Sequence, residues 1–215
     1  MKIEIKPSPR ALPDAERQAK VDEGGFGKYF TDHMVVADWN AESGWSDATL
    51  KGYEPLTLDP ASMVFHYGQE IFEGLKAYWQ PDGSISLFRP EMNGKRFANS
   101  AKRLALPELP VEDFVATIET LVKHDRGWVP PKVGSSLYIR PFMIATEVAI
   151  GVRPSKSAKY ILIACPVGAY FSTTSAVTVW ISTEYVRASI GGTGEAKCGG
   201  NYAASLLADR KSTRL

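Results

Sequence analysis

The chain has 215 residues, 44% of them hydrophobic and 23% charged, with a net charge of +1. That is globular composition, and so balanced a charge points to no nucleic-acid or polyanion partner. Two cysteines (Cys165, Cys198) and three histidines (His33, His66, His124) are too scattered for a disulfide framework or a zinc site, and the proline-bearing first residues, with no apolar run near the ~18 residues of a membrane span, lead us to expect a soluble cytoplasmic protein.

Residues 1–26 are polar and proline-dotted, and are expected to form a loosely held arm. Phe30 to Asp38 alternates weakly, as a strand does, and Trp39 to Asp47 carries turn residues. The run His66-Tyr67-Gly68-Gln69-Glu70-Ile71-Phe72-Glu73-Gly74 reads as a short helical turn closed by glycine. Leu75 to Trp79 and Ile85 to Phe88 flank Gln80-Pro81-Asp82-Gly83, so a hairpin is predicted there. A helix begins at Pro90, since proline suits the first helical position. A second, amphipathic helix spans Val111 to His124, with Phe114, Val115, Ile118, Leu121 and Val122 as its apolar stripe and Pro130-Pro131 beyond it.

Leu137 to Thr146, Tyr160 to Pro166 and Val177 to Val186 are rich in Val, Ile and Tyr and are predicted strands. The polar stretch 172–176 is the expected interdomain linker. This order of elements favours an α+β domain with a mixed, largely antiparallel sheet over residues 27–171, followed by the start of a second domain at 177–208. So small a second core rarely stands alone, so a truncated chain is expected. The last seven residues, Asp209 to Leu215, carry four charges after the apolar Tyr202 to Ala208. They match the translation of a common sequencing adapter, and residues 209–215 are expected to be such an artefact.

The densest chemical signal is Gly191-Gly192-Thr193-Gly194-Glu195-Ala196-Lys197-Cys198-Gly199-Gly200, then Asn201-Tyr202. Five glycines surround one lysine, and glycine permits both positive φ and close approach of a ligand. A phosphate-binding P-loop is excluded, because the second glycine and the magnesium-binding hydroxyl are missing. Two readings remain open on the residues alone. Lys197 is either a surface loop lysine or an amine activated for Schiff-base chemistry by burial and nearby positive charge, with Arg187 and Tyr202 as candidate helpers.

The stretch Val186 to Ala208 resembles the Schiff-base lysine region of branched-chain amino acid aminotransferases, pyridoxal-phosphate enzymes of fold type IV. HYGQEIFEGLKAY (66–78), LFRPEMNGKRFANSAKRL (87–104), LYIRPFMIATE (137–147) and CPVGAYF (165–171) follow that family's order and spacing, so the likeness covers about residues 25–208. It implies that Lys197 holds pyridoxal 5'-phosphate and moves the α-proton. It implies that Arg96 grips the cofactor phosphate, Tyr202 bonds the phenolic oxygen, and Arg187 lies near the cofactor. Phe72, Tyr138 and Tyr170, with Tyr67 and Arg140, would wall the substrate pocket.

The implied reaction moves the amino group of leucine, isoleucine or valine to 2-oxoglutarate, in a cytoplasmic homodimer of amino-acid biosynthesis. The family's carboxylate for the pyridine nitrogen and the rest of its phosphate cup lie C-terminal to the lysine, so the chain as written is expected to be inactive. Rival readings are a D-amino acid aminotransferase, an aminodeoxychorismate lyase, or a non-catalytic fragment that binds a partner.

Overall fold

A computed structural model describes residues 1–168 and 179–212. In chain order the elements are β1 (Ile3–Ile5), α1 (Asp14–Glu23), β2 (His33–Asn40), β3 (Gly44–Trp45), β4 (Ala48–Gly52), α2 (Met63–Tyr67), β5 (Glu70–Phe72), β6 (Leu75–Trp79), β7 (Ile85–Leu87), α3 (Pro90–Arg103), α4 (Val111–His124), a 3₁₀ turn at Arg126–Trp128, β8 (Ser136–Ala145), β9 (Ser157–Val167), α5 (Gly199–Ala203) and α6 (Leu206–Ser212). The strands form one sheet in the order β1-β4-β2-β9-β8-β6-β7, with β3 on β2 and β5 on β8. Among the described strands only β1 and β4 run parallel.

Period-two alternation sorts the sheet into two faces. Leu137, Ile139 and Met143 of β8, Tyr160 and Leu162 of β9, and Val35 of β2 join Phe97, Phe114, Ile118 and Leu121 from α3 and α4 in the main core. The Phe97 ring lies 5.3 Å from Phe114 and meets Tyr160 edge-on at 5.9 Å. The Tyr160 hydroxyl pairs with Thr117 at 3.0 Å, and complete burial pushes its pKa up. The alternate residues Tyr138, Arg140 and Phe142 of β8, and Ile161, Ile163 and Cys165 of β9, therefore face away from α3 and α4. Neither the arrangement of the fold nor the long β8–β9 ladder, paired from Ser136↔Val167 to Ala145↔Ala158, departs from the expected α+β class.

Three expectations are corrected. The loosely held arm carries β1, hydrogen-bonded to β4, and α1, whose Val21 is buried in the core. The glycine-closed turn ends early: Gly68 takes φ 56° as the cap of α2, and Glu70–Phe72 then pairs with β8. The strand expected from Val177 to Val186 is absent over its described part, residues 179–186. A strand needs a neighbour to satisfy its backbone groups, and no described strand pairs with these residues. The expected linker at 172–176 lies outside the described residues.

The arm is held by side chains of β2 and its approach. Ser8 N–H donates to His33 Nε2 at 2.9 Å, and Leu12 N–H donates to Asp32 Oδ1 at 3.0 Å. Because Nε2 accepts, the imidazole is the neutral tautomer whose Nδ1–H donates to buried Asp125 at 2.6 Å. That bond to Asp125 raises the His33 pKa above its ordinary value, against burial, with the charges of Asp125 and Asp32 adding to it; the His124 ring stands 6.4 Å away. A raised folded-state pKa gives stability that is present below the unfolded value, about 6.5, and is lost as pH rises through the folded one. The second ring proton has an opposite local effect, since it removes the acceptor of Ser8 N–H. Acidification through this range is expected to strengthen the His33–Asp125 pair while exposing the Ser8 amide. Hydrogen exchange corrected for intrinsic rate checks this, and a Ser8 amide equally protected on both sides of the transition contradicts it.

Candidate active site

The lysine loop is stitched to the sheet through its own backbone. Lys197 N–H donates to Ser100 Oγ of α3 at 2.9 Å, and the Lys197 carbonyl accepts from Phe72 N–H of β5 at 2.9 Å. Gly199 N–H donates to Glu70 Oε1, so both ends of β5 hold the loop. Buried Asn201 closes it from within: its Nδ2 donates to the Thr193 and Ala196 carbonyls at 2.8 Å each, and its Oδ1 accepts from Thr193 Oγ1 at 2.8 Å. Ala196 and Cys198 are buried on either side of the lysine. Neighbours of Lys197 are thus forced inward, while Lys197 itself is half-buried and its amine meets Tyr202 at an exposed position.

Of the five glycines, Gly191 alone takes positive φ, at 73°. Another serves close packing: a Cβ on Gly194 would lie 2.4 Å from Ala188 Cβ and 2.8 Å from Ala188 Cα.

Lys197 Nζ donates to the Tyr202 hydroxyl at 2.5 Å and stands 4.4 Å from the centre of the Phe72 ring. Phe72 and Tyr202 are themselves 5.0 Å apart. Arg140 lies over Phe72 at 4.7 Å and donates to the Tyr138 hydroxyl at 2.9 Å. Its buried Nε has no hydrogen-bond partner among the described residues. Five of the predicted residues thus form one connected cluster on the sheet face away from α3 and α4: Lys197, Tyr202, Phe72, Arg140 and Tyr138. Beyond Tyr138 and Arg140 lies a small cavity of about 130 Å³ that Phe26, Phe30, Ile163 and Cys165 help to line. Burial pushes the Cys165 thiol up, which makes it a poor nucleophile.

Arg96 lines a separate cationic cleft of about 610 Å³ with Asn99, Lys102, Arg103 and Glu195 of the lysine loop. Its guanidinium is held by the fully buried Glu73, through Nε to Oε1 and through Nη2 to Oε2 at 2.7 Å. Arg103 donates to the Gly191 and Gly192 carbonyls at 2.8 and 3.1 Å. Arg187 donates to the Gly194 carbonyl at 3.1 Å, inside the loop itself. Tyr67 departs from the expected cluster: it lines another cleft, with Gln69, Arg103, Leu104, Val152 and Arg153. The reason is the early end of α2 at Gly68, which separates Tyr67 from the strand bearing Phe72. Tyr170 lies outside the described residues.

Sequence reasoning missed Glu70, Glu73, Ser100 and Asn201. A burial signal existed only for Glu73, a lone acid between Phe72 and Gly74 in an otherwise apolar run. The other three are ordinary polar residues whose partners are distant in sequence.

Burial also acts on Glu70. It raises the carboxyl pKa, opposed by the Gly199 amide and the charge of Arg140. No group of three or more metal-ligating side chains exists among the described residues, and none of their helices is long and apolar enough to cross a membrane.

The solved structure of a branched-chain amino acid aminotransferase from T.th., complexed with N-(5'-phosphopyridoxyl)-L-glutamate, matches this fold with a TM-score of 0.62 and 29% identity, over 81% of this chain and 54% of that one. The architecture is therefore the N-terminal part of the fold type IV aminotransferases. Among curated proteins, the "Probable branched-chain-amino-acid aminotransferase" of Streptomyces coelicolor is 56% identical over 212 residues, which is 98% of this chain and 59% of that protein. The branched-chain-amino-acid aminotransferase of Mycolicibacterium smegmatis is 56% identical over 204 residues, 94% of this chain and 55% of that protein. No protein-family model matches. The chain is a homologue of the branched-chain-amino-acid aminotransferases and spans somewhat over half the length of the curated relatives it matches.

Proposed function

We propose that the protein carrying this chain is a pyridoxal-phosphate-dependent aminotransferase that moves the amino group of leucine, isoleucine or valine to 2-oxoglutarate. The observation that carries this reading is the Lys197 amine, on a backbone tied to Ser100 and flanked by the anchored Ala196 and Gly199, and bonded to the Tyr202 phenol. The donor set fits a phosphorylated aldehyde. An amine for the carbonyl lies in the same loop as Glu195, which lines the cationic cleft of Arg96, Lys102 and Arg103. Arginine's planar fork suits phosphate oxygens.

When bound, pyridoxal phosphate supplies an electron sink for the charge that develops at the substrate α-carbon. The Lys197 amine would hold it at its aldehyde carbon, and the same Nζ would accept a proton from the substrate α-carbon and return it. Tyr202 orients the lysine Nζ and would offer its hydroxyl to the ring oxygen. Arg96 would hold the phosphate. Phe72 and Tyr138 give an apolar wall suited to a branched aliphatic side chain. Arg140, which lines the small cavity beside Tyr138, would offer its guanidinium to the second carboxylate of 2-oxoglutarate. Arg187 serves by holding the loop through Gly194.

We also propose a homodimer, in the cytoplasm. Supporting it is an apolar face on which Phe65, Val148, Ile150 and Val152 are all exposed. The 148–149 segment is bonded to residues 61–62 ahead of α2, and Val152 shares a cleft with Tyr67. A second copy covering this face would bury these side chains and close the cleft that Val152 shares with Tyr67.

Borohydride reduction in the presence of pyridoxal phosphate tests the site, followed by peptide mapping. Modification is expected at Lys197 above all other lysines. Uniform low labelling of surface lysines would refute the reading. On the protein extended to the length of its relatives, a panel of amino donors is expected to favour leucine, isoleucine and valine; preference for D-alanine or aminodeoxychorismate would refute the substrate class.

A further inference from the structure

We infer that Glu73 is a positioning residue that fixes Arg96 for phosphate and so sets the preference for phosphorylated over unphosphorylated ligand. This rests on the proposed reading of Arg96 as the phosphate grip. Glu73 sits in the turn between β5 and β6, its own N–H donating to the Pro141 carbonyl at 2.8 Å, and it has no exposed surface.

A buried carboxylate is costly unless it is paired and its lone pairs are filled. Here both conditions are met. Oε1 takes Arg96 Nε, and Oε2 takes Arg96 Nη2 at 2.7 Å, Asn93 Nδ2 at 2.8 Å and the Gly74 N–H at 3.3 Å. Asn93 and Arg96 are three residues apart on α3, so one helix face delivers both donors. The bond to Glu73 raises the Arg96 pKa further.

The pairing uses one edge of the guanidinium only. Nη1 has no partner among the described residues, and about half of the Arg96 side chain is exposed in the cleft with Asn99, Lys102 and Arg103. Glu73 therefore holds the arginine from behind, with its own oxygens saturated and turned from the cleft. An arginine left unpaired would sample many rotamers, and ordering them on binding would weaken the grip. Glu73 removes that loss before the ligand arrives. Its charge lies on the far side of the guanidinium from the cleft, where Lys102 and Arg103 offset it.

The test compares binding of pyridoxal phosphate and of pyridoxal, by equilibrium titration, to this chain extended to the length of its relatives. The unaltered chain is expected to prefer the phosphorylated form. Glu73→Gln keeps the side-chain shape and is expected to weaken pyridoxal phosphate about tenfold while leaving pyridoxal unchanged. In an Arg96→Ala background the same change is expected to have no further effect. Asn93→Ala, which leaves the ion pair intact, should shift the preference in the same direction but less.

An unchanged preference in Glu73→Gln, or an equal loss for both ligands, would overturn the inference, the second outcome marking a merely structural residue. If the unaltered chain binds both ligands alike, the reading of Arg96 fails and takes this inference with it; if it prefers the phosphorylated form and Glu73→Gln does so equally, the Glu73 role alone fails.

Discussion

Replacing Lys197 by alanine is expected to abolish covalent capture of pyridoxal phosphate and to cut transamination by the protein carrying this chain at least about 10²–10⁴-fold, the range that acid–base catalysis alone commands. The loss should come with little change in stability. The Lys197 backbone, not its side chain, ties the loop to Ser100 and Phe72. Alanine removes the bond to Tyr202 and the contacts with the Phe72 and Tyr202 rings, and cation–π contacts at partly exposed sites are worth about 0.5–1 kcal/mol. Thermal unfolding and borohydride mapping together check both halves. A Lys197→Ala protein that still transaminates at the original rate would remove the chemical basis of the functional reading. Lys197→Arg is the sharper control, because it keeps a cation beside Phe72 but has no amine able to condense with an aldehyde.

Gly194→Ala is expected to disable the site while leaving the sheet intact. The added methyl would meet Ala188 at 2.4 Å from Cβ and 2.8 Å from Cα. Backbone cannot swing aside as a side-chain tip can, so residues 193–195 must move. Overpacking of this kind costs roughly 1–3 kcal/mol, and here the strain falls on a loop in register with Lys197. Thr193 and Ala196 are both bonded to Asn201, and the Gly194 carbonyl accepts from Arg187. Labelling of Lys197 should fall severalfold or more, whereas hydrogen exchange in β8 and β9 should not change. Gly200→Ala is the matched control: nothing lies within 4 Å of its added methyl and its φ is not positive. That change should be neutral or stabilising by about 0.4–1 kcal/mol. Wild-type labelling in Gly194→Ala would show that loop register does not govern the amine.

Several elements were legible because their determinants are local. Pro90 starts α3 and Pro110 precedes α4, and a helix needs only its own residues to satisfy its backbone. The hairpin followed from Pro81-Asp82-Gly83: Gly83 takes φ 81°, and Asp82 accepts from Ser84 N–H at 2.9 Å. The cluster of Lys197, Tyr202, Phe72, Tyr138 and Arg140 was named through resemblance rather than periodicity. Pocket aromatics and core aromatics look alike until the sheet face is known.

Other features could not be read from local pattern. Glu70–Phe72 is a strand only because β8 lies beside it. The arm is ordered because His33 and Asp32 accept its amides. The run from Val177 promised a strand, yet a strand's backbone groups must be paired by another strand, and none of the described strands runs beside residues 179–186.

By itself the sequence determined which side chains can do the chemistry: one lysine in a glycine-rich loop, a phenol five residues later, and arginines on α3 and β8. It also determined the helices and the hairpin, because those obey short-range rules. The tertiary structure alone decided which groups meet. Glu73 reaches Arg96 across 23 positions and Ser100 reaches Lys197 across 97, and Tyr67 is parted from Phe72 by one glycine cap. Such pairings depend on strand order and on which sheet face a residue occupies, and a shift of one residue in the register of β8 would move Tyr138 and Arg140 to the opposite face.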